Sequence, residues 1–157
     1  MQLAVFSDTH GNIEPMCAAI RAWQPDMVLH LGDYVRDAQT LRERFPGLDL
    51  RRVRGNCDVG MRDEPEKLSL NLEGVEIFAT HGHIYNVKYG LDSLRNAAWF
   101  SGAKLCLFGH THQKLYLDMG CIQFLNPGTA GQGYALTAAR ITIENGTAAC
   151  RIVPLAP

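Results

Sequence analysis

The chain has 157 residues, a formal net charge of −1 and 46% hydrophobic residues. Those are the proportions of one compact domain, residues 1–157, with a substantial core. No basic surplus offers nucleic acid a stable partner, and no apolar run approaches the length of a membrane span.

Gln2 to Ser7 is a short apolar run that reads as a central strand. From Asn12 to Trp23 the apolar residues Ile13, Met16, Ala19, Ile20 and Trp23 have helical spacing, with Asn12 placed to cap the helix and Pro15 in its first turn. Met27 to Leu31 is a second strand, Ala38 to Phe45 a short helix stopped by Pro46-Gly47, and Leu48 to Val53 a third strand. Strand and helix alternating in this way is the pattern of parallel βαβ units. Lys67 to Leu72 and Val75 to Thr80 then flank Glu73-Gly74, an antiparallel hairpin signal. Leu91 to Phe100 is a helix with Leu91, Leu94, Ala98 and Trp99 expected inward, and Lys104 to Phe108 is another buried strand. After His112 the chain reads as all β: Lys114 to Asp118, Cys121 to Leu125, Tyr134 to Ile143 and Ala148 to Val153, with turns at Met119-Gly120 and Asn145-Gly146. The class is α/β, with one mixed sheet or two sheets face to face.

Met1 leads straight into the first strand without a basic leader, so no signal peptide is expected. The five cysteines form no CxxC pair. Both features fit reduced thiols in a cytoplasmic protein, with Cys17, Cys106 and Cys150 as core filler.

Five of the six histidines fall in three short clusters: Asp8-Thr9-His10, His81-Gly82-His83 and His110-Thr111-His112. Gly32-Asp33 and Gly55-Asn56 lie between the first two. Each follows an apolar run, which places it at the C-terminal end of a strand, where sheets with helical crossovers assemble their sites. Asp8 and His10, two residues apart, would face one ion together if the backbone there were extended. Asp33 has two oxygens and can bridge two cations. Asn56 offers a carbonyl oxygen, and His81, His110 and His112 bring imidazoles. Oxygen and nitrogen donors without thiolate suit Mn²⁺, Fe, Co, Ni or Zn²⁺ better than Ca²⁺. Two such ions roughly 3.5–4 Å apart are a standard device for hydrolysing phosphate esters.

Asp8-x-His10, Gly32-Asp33, Gly55-Asn56, His81-Gly82-His83 and Gly109-His110-Thr111-His112 occur in an order that resembles the calcineurin-like metallophosphoesterase superfamily, over nearly the whole chain. Gly55-Asn56-Cys57-Asp58, Asn126-Pro127-Gly128-Thr129 and the small size look most like the compact YfcE-type phosphodiesterase branch. The resemblance implies a four-layer αββα sandwich, two mixed β-sheets packed face to face and flanked by helices. It implies two divalent metal ions, Mn²⁺ foremost, with Ni, Co, Fe or Zn as alternatives. Asp8, His10 and His112 would hold one ion, Asn56, His81 and His110 the other, and Asp33 would bridge them. A metal-bridging water would attack phosphorus in line, with no covalent enzyme intermediate, so Asp33 and Asn56 would serve the reaction as well as the metals. Many relatives carry a histidine after the Asn, thought to protonate the leaving group. Here the residue is Cys57, whose thiol, with an ordinary pKa near about 8.5, is a poorer acid than imidazolium. Cys57, His83 or a bound water are the candidates for that step.

His30, within a strand, reads as a structural histidine. His83 can orient a ligand, contact phosphate or cap a loop. Asp37 and Asp58 read as turn or helix-start residues, and Tyr85 and Tyr89 as pocket or surface aromatics. A phosphodiesterase acting on a small phosphate ester is the leading function. A phosphomonoesterase is one alternative, and another is a metal-binding scaffold, as in the retromer subunit that resembles this branch. The complete donor set favours catalysis. Arg54 is the one cationic side chain beside a motif block, which favours a singly charged diester. The resemblance also permits a homo-oligomer.

Overall fold

The computed structural model describes residues 1–156. In chain order the elements are β1 (Gln2–Phe6), α1 (Glu14–Trp23), β2 (Met27–His30), α2 (Val35–Arg44), β3 (Asp49–Arg52), β4 (Lys67–Leu72), β5 (Val75–Thr80), α3 (Asp92–Phe100), β6 (Leu105–Leu107), β7 (Leu115–Asp118), β8 (Gln123–Asn126), β9 (Thr137–Glu144) and β10 (Thr147–Pro154). A 3₁₀ turn at His83–Tyr85 follows β5. None of the described helices is long and apolar enough to cross a membrane.

Two five-stranded sheets form, ordered β10-β9-β1-β2-β3 and β4-β5-β6-β8-β7. β1, β2 and β3 run parallel, as do β5, β6 and β8; the other pairings are antiparallel. Side chains alternate across each strand, and in the central strands β1, β2, β5, β6, β8 and β9 both faces are apolar. Val5, Leu29, Ile77, Leu107 and Ile141 fill the space between the sheets. Phe6 and Val28 face outward onto Met16, Ile20 and Leu41 of α1 and α2. Phe78, Cys106 and Phe124 lie under Leu94 and Ala98 of α3. The result is the expected four-layer αββα sandwich.

Local chemistry explains most element boundaries. Glu73 and Gly74 both have positive φ, the backbone of a type I′ hairpin turn, as do Asn145 and Gly146. α1 buries Met16, Ala19 and Ile20 and ends where Gln24 turns left-handed, its N–H bonding to the Ile20 carbonyl.

Four expectations need correction. Asn12 does not cap α1: the helix starts at Glu14 without a side-chain cap, and Asn12 Nδ2 donates to the Gly131 carbonyl at 3.2 Å. α2 begins three residues early, at Val35, because Asp58 Oδ1 accepts the Val35 N–H at 2.8 Å from outside the helix. β9 begins at Thr137, and Tyr134 lies fully exposed before it. Trp99 is 64% exposed, since it sits about 100° around the helix from buried Ala98. Truncation of Leu94 to Ala should therefore lower stability by about 2–5 kcal/mol, and Trp99→Ala by less than about 1 kcal/mol, in urea unfolding.

Candidate metal centre

The motif loops leave the C-terminal ends of β1, β2, β3, β5 and β6, strands drawn from both sheets. Of the seven candidate ligands, Asp8, His10, Asp33, His110 and His112 have φ between 47° and 68°. This left-handed region is unfavourable for most residues, and Asp, Asn and His are among those that tolerate it best. Asp8 and His10 are therefore not in extended geometry. They share a site because a turn, closed by Asn12 N–H to Thr9 carbonyl, carries them there.

The side chains converge in two groups that share one carboxylate. Asp8, His10, Asp33 and His112 bring donor atoms within 4.8 Å of one another, and so do Asp33, His81 and His110. His10 Nε2 lies 3.3 Å from His112 Nε2, and His81 Nε2 lies 3.2 Å from His110 Nδ1. Asp33 presents Oδ2 to His10 at 3.8 Å and Oδ1 to His81 at 3.4 Å, so its two oxygens face different groups.

The donor set fits divalent cations. Asp8 Oδ2 accepts from Ser7 Oγ at 2.5 Å and from the His110 N–H at 3.2 Å. Its other oxygen, Oδ1, is buried without a hydrogen bond although His112 Nε2 is 3.1 Å away. A buried anionic oxygen without a partner is costly unless a cation faces it. His81 Nδ1 donates to the Leu31 carbonyl at 2.8 Å, so the neutral ring carries its lone pair on Nε2, facing the cluster, the tautomer a metal requires.

Asn56 is exposed at the rim, and its Nδ2 reaches Cys57 Sγ at 3.5 Å. The Cys57 N–H donates to Asp33 Oδ1 at 3.0 Å, tying that loop to the shared carboxylate. His83 stands beside the second group, its ring 5.4 Å from His81 and 6.2 Å from His110, with Nδ1 buried and unpartnered. Arg54 is held by Glu66 at 2.7 Å. Tyr85 packs edge-on against Phe78, and Tyr89 is exposed.

Several pins hold these loops, and their importance was not legible in the chain. Asp58 accepts N–H bonds from Asp33, Val35 and Gly55 at 2.7–3.1 Å, joining the β2 and β3 loops. Thr9 Oγ1 donates to Asp37 Oδ2 at 2.5 Å and accepts from His30 Nε2 at 3.1 Å, while Asp37 also takes the Gly11 N–H. Buried Asn126 donates to the Gly109 carbonyl at 2.9 Å and to Thr111 Oγ1 at 3.0 Å. The sequence cue for Asp58 was its place three residues after Gly55. A Cβ at Gly55 would collide with the Asp33 carboxylate, and one at Gly109 with Ser7 Oγ, so both glycines are required by close approach.

Burial and neighbouring charges shift the titrating groups of the site in both directions. Burial opposes ionisation of Asp33, but His81 and the Cys57 N–H hold its carboxyl well below the usual range. Burial likewise opposes the His81 imidazolium, yet Asp33 and Asp8 raise its pKa. The Asp8 carboxylate beside it raises His112. Burial, with His81 and Lys88, pulls His110 down to about 4. Burial and the Asp33 carboxylate push the Cys57 thiol up to about 11. Burial and His81 lower His83.

Residues 1–146 match the family model of the calcineurin-like phosphoesterase superfamily domain. The chain belongs to that superfamily. It is 30% identical over 162 residues to the probable metallophosphoesterase YsnB of Bacillus subtilis, covering 96% of this chain and 89% of the relative. A Streptococcus pneumoniae protein described as a predicted phosphoesterase superposes with a TM-score of 0.81 at 29% identity, over 98% of this chain and 88% of that one. Vps29 of Entamoeba histolytica, complexed with Zn²⁺, shares the fold with a TM-score of 0.78 at 19% identity, over 98% and 99% of the two chains.

His30 lies beneath the ligands rather than among them, and burial holds its pKa down to about 4. The unfolded imidazole titrates near about 6.5. Between those values the unfolded chain binds the extra proton, so this group makes stability fall as pH drops from about 6.5 to about 4. Across that window the metal-free wild type should lose more stability than His30→Gln, by on the order of 3 kcal/mol. Equal losses in urea unfolding would assign the proton to another group.

Proposed function

We propose that the chain is a dinuclear-metal-dependent phosphodiesterase of the compact YfcE-type branch, acting on a small phosphate ester in the cytoplasm. The observation that carries this reading is the pair of donor groups sharing Asp33. Asp8, His10 and His112 would hold one cation, His81, His110 and the Asn56 amide carbonyl the other, with one Asp33 oxygen for each. Two divalent cations, Mn²⁺ foremost, supply Lewis-acid polarisation of the phosphoryl oxygens and a water acidic enough to attack at neutral pH. The chain keeps both carboxylates ionised and His81 in the tautomer that offers Nε2. The free thiols at all five cysteines fit the reducing cytoplasm.

Two features favour a diester with a good leaving group. Arg54 is paired with Glu66, which offsets the charge it could present to a monoester dianion. Lys88, outside the motif blocks, is the cation whose field reaches His110 and His112, and it is exposed. The candidate acids are both weak donors at neutral pH: Cys57 holds its proton to about pH 11, and His83 is shifted toward its neutral form. A leaving group that departs as a stable anion needs neither.

Metal-stripped protein refilled with Mn²⁺, Ni²⁺, Co²⁺ or Zn²⁺ should hydrolyse bis-nitrophenyl phosphate faster than nitrophenyl phosphate, and Asp33→Asn should fall to background with loss of bound metal. Tight metal binding without turnover of either ester would favour the scaffold alternative. Across diesters of rising leaving-group pKa, kcat/KM should fall steeply in the wild type and less steeply in Cys57→His, with nitrophenyl turnover intact. Loss of turnover on every ester in that variant would make Cys57 a packing residue.

A further inference from the structure

β7 is the last strand of its sheet, and among the described residues it pairs with β8 alone. Its residues are all exposed, with Leu115, Tyr116 and Leu117 at 37%, 45% and 39%. Natural edges are blunted by short length, charged side chains, proline, a bulge or a cover; β7 is short, and its charges stand at its two ends, Lys114 just before it and Asp118. β7 contains no proline, and its register with β8 runs without a bulge.

We propose that this edge joins two copies of the chain, β7 antiparallel to β7 about a two-fold axis through Tyr116. The strand and its preceding residue, Lys114-Leu115-Tyr116-Leu117-Asp118, form their own complement. In that register Lys114 meets the partner's Asp118, Leu115 meets the partner's Leu117, and Tyr116 meets the partner's Tyr116. Symmetry makes the ion pair twice. Neither Lys114 nor Asp118 has an ion pair within the described residues. Centring the axis on either leucine loses both pairs, so charge selects one register.

Backbone polarity selects the same register independently. The Gln123 N–H donates to the Lys104 carbonyl and the Leu125 carbonyl accepts the Phe108 N–H, so these two residues face β6. Phe124 and Asn126 must then face β7, where Leu117 and Leu115 lie opposite. The Met119 N–H to the Ile122 carbonyl, at 3.1 Å, fixes the same alternation. Tyr116 and Asp118 therefore point their own N–H and C=O at the free edge. A two-fold axis through Tyr116 needs those groups there: Tyr116 bonds its copy, and Asp118 bonds the partner's Lys114. Each chain carries a net charge of −1, so long-range repulsion is small. The joint would merge two five-stranded sheets into one continuous sheet, and it uses no residue of the candidate metal centre.

Light scattering on the full chain tests this. The wild type should be a dimer. Lys114→Asp and Asp118→Lys should each raise the dissociation constant by about tenfold or more, because like charges then meet twice. The double variant K114D/D118K should recover the dimer. Tyr116→Pro removes an N–H that points away from β8, so it should give a monomer with an unchanged circular dichroism spectrum. Amide exchange at Tyr116 and Asp118 should slow with increasing protein concentration. A monomeric wild type, a dimer indifferent to these variants, or failure of the double variant to recover would each overturn the proposal.

Discussion

The Asp33 carboxylate, held in left-handed backbone between two sets of imidazoles, is the constraint on which the rest of the molecule turns. A non-glycine residue in that region costs roughly 1–3 kcal/mol, and five candidate ligands share the condition. Asp and His are among the residues that bear left-handed backbone best, and they are also the oxygen and nitrogen donors that a divalent cation prefers. One choice of residue type thus serves both the turn and the ligand.

The strain is confined to loops and borne by what lies below them. Four of the five strands beneath, β1, β2, β5 and β6, are packed on both faces, so their C-terminal ends have little freedom. Asp58, Asp37 and Asn126 then tie each loop to its neighbour through backbone donors and acceptors. Asp37 and Asp58 are carboxylates spent on N–H groups rather than on cations. They are buried, at 8% and 6% exposure, so their bonds are shielded from water. Hydrogen bonds to charged groups are among the stronger ones available to a chain, about 1.5–3 kcal/mol each.

Much of this was legible from residue types and order. The apolar runs marked nine of the ten strands closely, because buried strands need unbroken hydrophobicity and the turns between them need Gly, Asn or Pro. The start of β9 was missed because Gly131 to Tyr134 forms bends rather than ladder. Trp99 was misplaced because an aromatic near the end of an amphipathic helix satisfies the apolar period without being on its buried face. Asp8 and His10 come together through a turn, not through strand alternation, which does not extend past Phe6; only the dihedral angles reveal that turn. Asp58 was read as a turn residue because its partners on the β2 loop are 23 and 25 residues away in the chain.

Architecture alone does not distinguish a cation held for structure from one held for chemistry. The distinction lies in what the surrounding chain does to its titratable groups. A structural cation is best served by closed, fully satisfied ligands. Here Asp8 Oδ1 is left unpartnered, and His10, His110 and His112 lie partly open to solvent above it. The one thiol at the rim is pushed up to about 11 by burial and by the carboxylate it adjoins, which makes it a weak acid and equally a poor thiolate ligand. Cys57 therefore neither closes the site as a ligand nor supplies a strong proton donor.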